Sequence, residues 1–462
     1  MNALIICITL PFLAALLILI LSKRLRSDLL TFALGSAFFA SIFVIFSVIK
    51  HGQILFTKYI CAWFSFSFIA DGLSAFMASA CALVSFLIVL YCRENSDAYG
   101  KRFYFWTALL VGNMLGLVFS ANLILMLFFW EFASVCSWRL IRLNKDKESV
   151  KAASRAFITN LLGFFLLSAG IILIYINYHT LDLNSLRGAN LTNLIAFLLF
   201  AGIVVRSAIF PLQSWLVEAA AAPTVVVALL SAVLFVKMGL YVFARVFSLT
   251  FLESALFINI TLYFSVATLI VAAASALVET NIKKILVYSV ISQIGYILIE
   301  FITQSTTSFK VGLIYLLAHC LAAAGLFLCA GIVEQKAKAL NISDPGCSAK
   351  NFPKTSLAFL LCAFSVMGLP PFIGFWPKFF SILTLIRSGE IFAGVVAITG
   401  VLFTLFYLMR LYNRLFLSSN NDTLKENNNS IMVWVVLALG FLCLVLGVFF
   451  QGPFNLVSNL IK

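Results

Sequence analysis

The chain has 462 residues, of which 63% are hydrophobic and only 10% charged, against about 25% charged residues in an ordinary soluble domain. So few charges cannot give 51.0 kDa of protein a water-facing surface, which excludes a soluble globular fold, a disordered chain and a disulfide-rich secreted scaffold. The formal charge of +14 reads as an asymmetry between loops, set out below, and needs no nucleic-acid partner.

A helix crossing a bilayer needs about 20 mostly apolar residues. Such windows cover roughly 2–21, 29–48, 68–91, 103–120, 122–138, 156–177, 192–210, 223–246, 252–277, 285–301, 309–331, 355–386, 393–416 and 431–450. The expected fold is an all-α integral membrane protein with about 14 transmembrane helices. The first window lacks a positive segment before it and is followed by Lys23, Arg24 and Arg26, the reverse of a signal peptide, so it is expected to stay as a membrane helix.

Loops after odd-numbered spans hold 21 Lys or Arg, and the other side holds 7: Lys50, Lys58, Arg187, Arg245, Lys310, Arg387 and Lys462. By the positive-inside rule this puts both termini outside the cytoplasm and the Arg139–Arg155 and Lys336–Lys354 loops inside. Asp71 is placed to cap the third span. Lys283 and Lys284 sit at the cytoplasmic start of the tenth, and Asp344–Pro345–Gly346 reads as a turn. Asn421–Asn429 reads as a polar linker.

Three basic residues remain within apolar spans: Arg206, Lys237 and Lys378. Glu131 in FFWEFASV and His319 in YLLAHCLAAAG join them. Taken singly, each reads equally as a buried structural charge or a snorkelling side chain. Five such groups, spread over spans 5, 7, 8, 11 and 12, suit ion or proton transfer better than one catalytic pocket.

Prolines interrupt two spans. RSAIFPLQSWLVEAAAAP contains Pro211 and Pro223, and MGLPPFIGFWPKFF contains Pro370, Pro371 and Pro377. Both stretches read as broken helices or as ordinary kinks; broken helices survive in lipid only where protein or water satisfies the freed backbone. Spans 4–8 and 9–13 form two sets of five with the interrupted helix fourth in each, the topology of inverted repeats. The ten cysteines show no C-x-x-C spacing, most of them lying in or beside apolar stretches. Glycine-rich nucleotide motifs are absent too, so no metal or cofactor is expected.

The stretches FIADGLSAFM, FFWEFASVCSW, FPLQSWLVEAAAAPTVVVALLSAVLFVKMGLYVFAR, NIKKILVYSVISQIGY and GLPPFIGFWPKFF occur in that order. Together they resemble the antiporter-like membrane subunits shared by Mrp-type cation/proton antiporters, respiratory complex I and membrane-bound hydrogenases, most closely the D-type subunit of the Mrp antiporters. The resemblance covers nearly the whole chain. It implies fourteen helices with two inverted five-helix units and a proton path along a polar axis at mid-membrane. On the family pattern, the helix 5 glutamate falls on Glu131, the helix 8 lysine on Lys237, the helix 11 histidine on His319 and the helix 12 lysine on Lys378. The helix 7 lysine is replaced by Arg206, and a lysine four residues after the histidine by Ala323; Gln213 and Val217 also depart from the pattern.

Arg stays protonated in proteins, so Arg206 is expected to act as a fixed charge, and Ala323 cannot relay a proton. The expected organisation is N-terminal helices over 1–100, a first unit over 101–250, an inverted second unit over 251–418 and a final helix within 430–462. The resemblance implies a proton-translocating subunit of a multisubunit Na+/H+-type antiporter in the bacterial cell membrane, working with other membrane subunits. The rivals are a proton-pumping, non-redox subunit of an NADH–quinone oxidoreductase or hydrogenase, and a non-conducting structural paralogue favoured by Arg206 and Ala323.

Overall fold

In lipid the backbone must satisfy its own polar groups, and an α-helix does so within one segment, so most of the described residues are helical. The structure is a computed structural model that describes residues 2–61, 64–96, 99–303, 305–417, 424–427 and 429–461. Among these, fourteen apolar passes follow one another. They are α1 (Asn2–Ile18), α2 (Lys23–His51), α3 (Gly72–Cys92), α4 (Lys101–Phe119), α5 (Leu123–Ile141) and α6 (Lys147–Tyr178); then the broken pair α7 (Asn193–Arg206) and α8 (Ser214–Glu218), and α9 (Thr224–Ser248). After them come α10 (Ala255–Val278), α11 (Ile282–Ile302), α12 (Thr306–Ala337), the broken pair α13 (Pro353–Met367) and α14 (Phe375–Arg387), α15 (Ile391–Tyr412) and α16 (Ile431–Val448).

The passes are apolar on every side, as lipid requires. Phe32, Phe39, Phe43 and Phe46 of α2 stand exposed on the outer surface, whereas the α9 membrane window is completely buried at the centre of the bundle. Both breaks lie where the prolines place them, and partners answer the freed backbone groups. In the first, the Phe210 amide donates to Thr268 Oγ1 (3.1 Å) and Trp215 Nε1 donates to the Val205 carbonyl (2.9 Å). In the second, the Ile373 amide donates to the Cys443 carbonyl (3.0 Å). Pro377 does not itself break the chain; it lies in the first turn of α14, where a missing amide costs nothing.

Several sequence expectations need correction. Residues 54–61 and 64–70, expected as loop and the start of a span, pair as two antiparallel strands, β1 (Ile54–Cys61) and β2 (Phe64–Ala70). The strand pair reaches the α4–α5 turn, where the Ala121 amide donates to the Ser67 carbonyl (3.0 Å). The Arg139–Arg155 loop is short, because α5 runs to Ile141 and α6 begins at Lys147. The turn expected at Asp344–Pro345–Gly346 closes earlier, between the Asn341 carbonyl and the Asp344 amide (3.1 Å). A further helix, α17 (Gln451–Leu460), folds back against α2, α3 and α12. Gly72 permits this, since any Cβ there would collide with the Leu460 carbonyl. Residues 421–423 and 428 of the Asn421–Asn429 linker lie outside the described residues.

Asp71 caps α3 as expected, in a capping box: its Oδ1 accepts from the Ser74 amide (3.0 Å) while Ser74 Oγ accepts from the Asp71 amide (2.8 Å). Arg245, counted from sequence among the loop cations, is buried in the last turn of α9 instead. It forms a two-pronged ion pair with Asp71, Nη2 to Oδ1 at 2.8 Å and Nη1 to Oδ2. Both helix ends lie on the face that carries the two chain termini.

Candidate functional site: a buried polar axis

On α5 the spacing of Glu131 and Ser134 puts both on one helix face, one turn apart. Ser134 Oγ donates toward Glu131 Oε2 at 3.3 Å, and Arg206 Nη2, from the last turn of α7, donates to Ser134 Oγ (2.9 Å) and to the Trp130 carbonyl (2.8 Å). The guanidinium lies over the rings of Trp130 (4.3 Å) and Phe235 (4.0 Å), an arrangement that suits a planar, weakly hydrated cation. Arg206 is fully buried. Glu131 is only half-buried and lines an apolar groove of about 360 Å³ with Leu127, Phe128, Phe132 and Phe164 on the outer surface of the bundle.

Lys237 lies in α9, between two π-helical stretches, Ala228–Val233 and Ala244–Ser248. Such wide turns release backbone groups and re-aim side chains, and are frequent at functional sites. Lys237 is fully buried, and its Nζ has no hydrogen-bond partner among the described residues. Its charge reaches Cys81, Cys320 and His319.

His319 on α12 is buried between Lys237 and Lys378, within electrostatic reach of both. Lys378 on α14 turns back across the break and donates to the terminal carbonyls of α13, Val366 at 2.6 Å and Met367 at 3.5 Å, so the negative end of one half-helix holds the ammonium of the other. A cavity of about 10 Å³ is lined by Gln293, Tyr315, His319, Ala322 and Ser365. Three buried polar atoms there, His319 Nδ1, Gln293 Nε2 and Ser365 Oγ, have no partner among the described residues. The volume is close to that of one water, and a water there would meet three buried polar atoms that otherwise lack partners among the described residues. Buried Ala323, where the resemblance has a lysine, belongs to the same stretch of α12.

The structure thus brings Arg206, Lys237, His319 and Lys378 into the interior and leaves Glu131 at the edge, joined to the interior through Ser134. Sequence reasoning missed Ser134, Gln293, Ser365 and the Asp71–Arg245 pair. The three uncharged residues carry no charge signal in an apolar span, and the pairing of Asp71 with Arg245 joins positions 174 residues apart.

The described residues thus form a largely helical membrane bundle with two broken helices and a row of buried ionisable groups. Residues 120–404 match the family described as "NADH:quinone oxidoreductase/Mrp antiporter, TM", and the chain belongs to that family. It is 32% identical over 464 residues to the chloroplastic NAD(P)H-quinone oxidoreductase subunit 5 of Physcomitrium patens, covering 91% of this chain and 63% of that one. It is also 32% identical to NAD(P)H-quinone oxidoreductase chain 5 of Synechocystis sp., over 75% of this chain and 54% of that one. The chain therefore spans roughly three fifths or less of the length of these relatives. In fold it matches a chain of the Mrp complex from Dietzia sp. (TM-score 0.89, 21% identity, 99% of this chain and 96% of that one). It matches equally a chain of the membrane-bound sulfane sulfur reductase, an archaeal respiratory membrane complex (TM-score 0.89, 22% identity, 99% and 97%).

Proposed function

We propose that this chain is the proton-translocating subunit of a multisubunit monovalent cation/proton antiporter, with Na+ as the expected cation, in a bacterial cell membrane. The observation that carries the reading is the interior row of Arg206, Lys237, His319 and Lys378, with a water-sized cavity beside the position where Ala323 interrupts the family pattern. Two units, 101–250 and 251–418, each contribute a broken helix and a central lysine, preceded by N-terminal helices over 1–100 and followed by the final helix within 430–462. Both termini and α17 face the non-cytoplasmic side.

Glu131 and Lys237 take up and pass the proton in the first unit, while Arg206 holds a fixed positive charge beside them through Ser134. His319 and the water-sized site receive it in the second unit, and Lys378 moves it on. Neutralising one charge in a medium of low dielectric changes the proton affinity of the next, which couples the steps. Other membrane subunits are the partners, and the groove at Glu131 is the natural place for one of them, because it leaves a carboxyl among apolar side chains that would otherwise face lipid. The chain needs no cofactor for this role.

The resemblance of the motifs to the D-type Mrp subunit favours the antiporter; the fold matches a chain of the Mrp complex and a chain of the archaeal respiratory complex equally. The 32% identity to quinone oxidoreductase subunits supports a second reading, a non-redox pump component powered by redox chemistry in neighbouring subunits. A complex purified with its native partners and reconstituted in vesicles separates the two. Proton movement driven by an imposed Na+ gradient without any electron donor supports the antiporter; movement only during quinone reduction supports the oxidoreductase. An assembled complex that moves no protons in either assay contradicts both and leaves the structural paralogue.

A further inference from the structure

Among the described residues, one fully buried acid is not used by this axis. Glu300, near the end of α11, is 1% exposed. Its Oε1 accepts from Ser381 Oγ at 2.7 Å, and its Oε2 has no partner among the described residues.

The register of two helices fixes where this carboxyl lies. Lys378 and Ser381 are one turn apart on α14, and Tyr296 and Glu300 are one turn apart on α11. Lys378 Nζ sits 5.1 Å from the Tyr296 ring while Ser381 bonds Glu300, so the pairs meet as successive rungs. Glu300 is therefore about one helical turn, roughly 5 Å, beyond Lys378 toward the face carrying the chain termini. Farther out, Ser308 in the first turn of α12 faces the same carboxyl. A cavity of about 340 Å³ then follows on that face, lined by Ser248, Phe301, Ser305, Thr306 and Phe309.

The groups around Glu300 are Lys378 and Ser381 from α14, Ser308 and Tyr315 from α12, and Tyr296 from its own helix. Among the described residues no cation pairs with the carboxyl, so it is not the anchor of a structural ion pair. Its near neighbours are hydroxyls, which both donate and accept, so the site can hydrogen-bond the ionised and the protonated carboxyl alike.

Building on the proton-translocating reading above, we propose that Glu300 is the outlet relay of the path, accepting the proton that leaves Lys378 and releasing it to the cavity beside Ser305 and Thr306. Lys378 Nζ rests on the Val366 and Met367 carbonyls, so in this step the ammonium swings toward Ser381 and loses one proton, the Ser381 hydroxyl passes one on as it receives one, and the Glu300 carboxylate becomes a carboxylic acid. Release to water in the cavity restores the carboxylate, so no group is oxidised or consumed.

The test is proton flux in vesicles containing the complex with its native partners, comparing wild type, Glu300→Gln and Glu300→Asp at equal assembly by gel filtration. An amide at position 300 still accepts from Ser381 but cannot carry a proton, so Glu300→Gln is expected to lose flux on the order of a hundredfold. Glu300→Asp should recover part of it, and pH-difference infrared spectra should lose a carboxylic-acid band in Glu300→Gln. Wild-type flux in assembled Glu300→Gln would overturn the outlet role while leaving the subunit's function in place. A wild-type complex that moves no protons would remove that function and this route with it. Should Glu300→Gln fail to assemble, Ser381→Ala supplies the same comparison: lowered flux supports the relay, and unchanged flux overturns it.

Discussion

Arg206 reaches Glu131 only through Ser134: its Nη2 donates to the serine hydroxyl at 2.9 Å, and the hydroxyl lies 3.3 Å from the carboxylate. A direct ion pair would lock the acid against the cation. An interposed hydroxyl transmits the field of Arg206 while leaving Glu131 free to turn toward the groove at its other side.

Replacing that hydroxyl therefore separates field from contact. Ser134→Ala should destabilise the protein by about 1.5–3 kcal/mol, the worth of a hydrogen bond to a charged group, and lower proton flux in assembled complexes. Arg206→Lys should keep most of the flux because the positive charge remains, although it forfeits stacking on Trp130 and Phe235. Thermal unfolding in detergent gives the first effect and dye-reported vesicle acidification the second.

Asp71 and Arg245 form the opposite case, a closed structural pair with side chains 13% and 2% exposed. Asp71→Ala leaves the guanidinium buried without its partner and removes the cap of α3, so a loss of about 3–5 kcal/mol is expected. Assembly, read by fluorescence-detected gel filtration, should fail or fall sharply. A variant that assembles with unchanged melting temperature would show that the pair contributes little.

Gly368 ends α13 with φ +79°, and a Cβ there would meet Lys378 Cδ at 2.7 Å. Gly368→Ala should thus cost about 1–2 kcal/mol for the left-handed backbone alone, and it should also displace the Lys378 side chain. Reduced flux greater than the loss of assembled complex is the expected result.

Glu253, outside the membrane spans between α9 and α10, has both carboxylate oxygens buried without partners among the described residues, and burial pushes its pKa up to about 8. Because the folded value lies above the ordinary glutamate value of about 4.3, the folded state binds more protons between the two. Its contribution to stability is complete below the lower value and is lost as pH rises through the upper one. Melting temperature should therefore fall between these pH values in wild type, and Glu253→Gln should flatten that fall.

The fourteen passes, both proline breaks and four of the interior charges were legible in sequence, because lipid makes apolar length and intramembrane charge unusually strong signals. The strand pair was hidden by the apolar run that continues into α3, although the alternation of Ser65, Phe66, Ser67 and Phe68 carried a period-two signal. Arg245 and Glu300 lie at the ends of their spans, where a sequence window treats a charge as belonging to the loop. Only the fold shows that the ends of α9 and α11 are buried. Ser134, Gln293 and Ser365 acquire meaning through partners on other helices, which no local pattern encodes.

The His319 cavity carries its own prediction. A high-resolution map of the assembled complex should show an ordered water between His319 Nδ1, Gln293 and Ser365, bridging the gap beside Ala323. Direct side-chain contacts filling that space would leave the second unit without a connection through it.

Lys237 offers the cleanest test of translocation itself. Its ammonium has no hydrogen-bond partner among the described residues, so removing it strands no opposite charge and should leave assembly intact. Proton flux should be measured in vesicles carrying the complex with Lys237→Ala, at equal subunit content to wild type. The proposed axis predicts a fall on the order of a hundredfold; flux equal to wild type would contradict it.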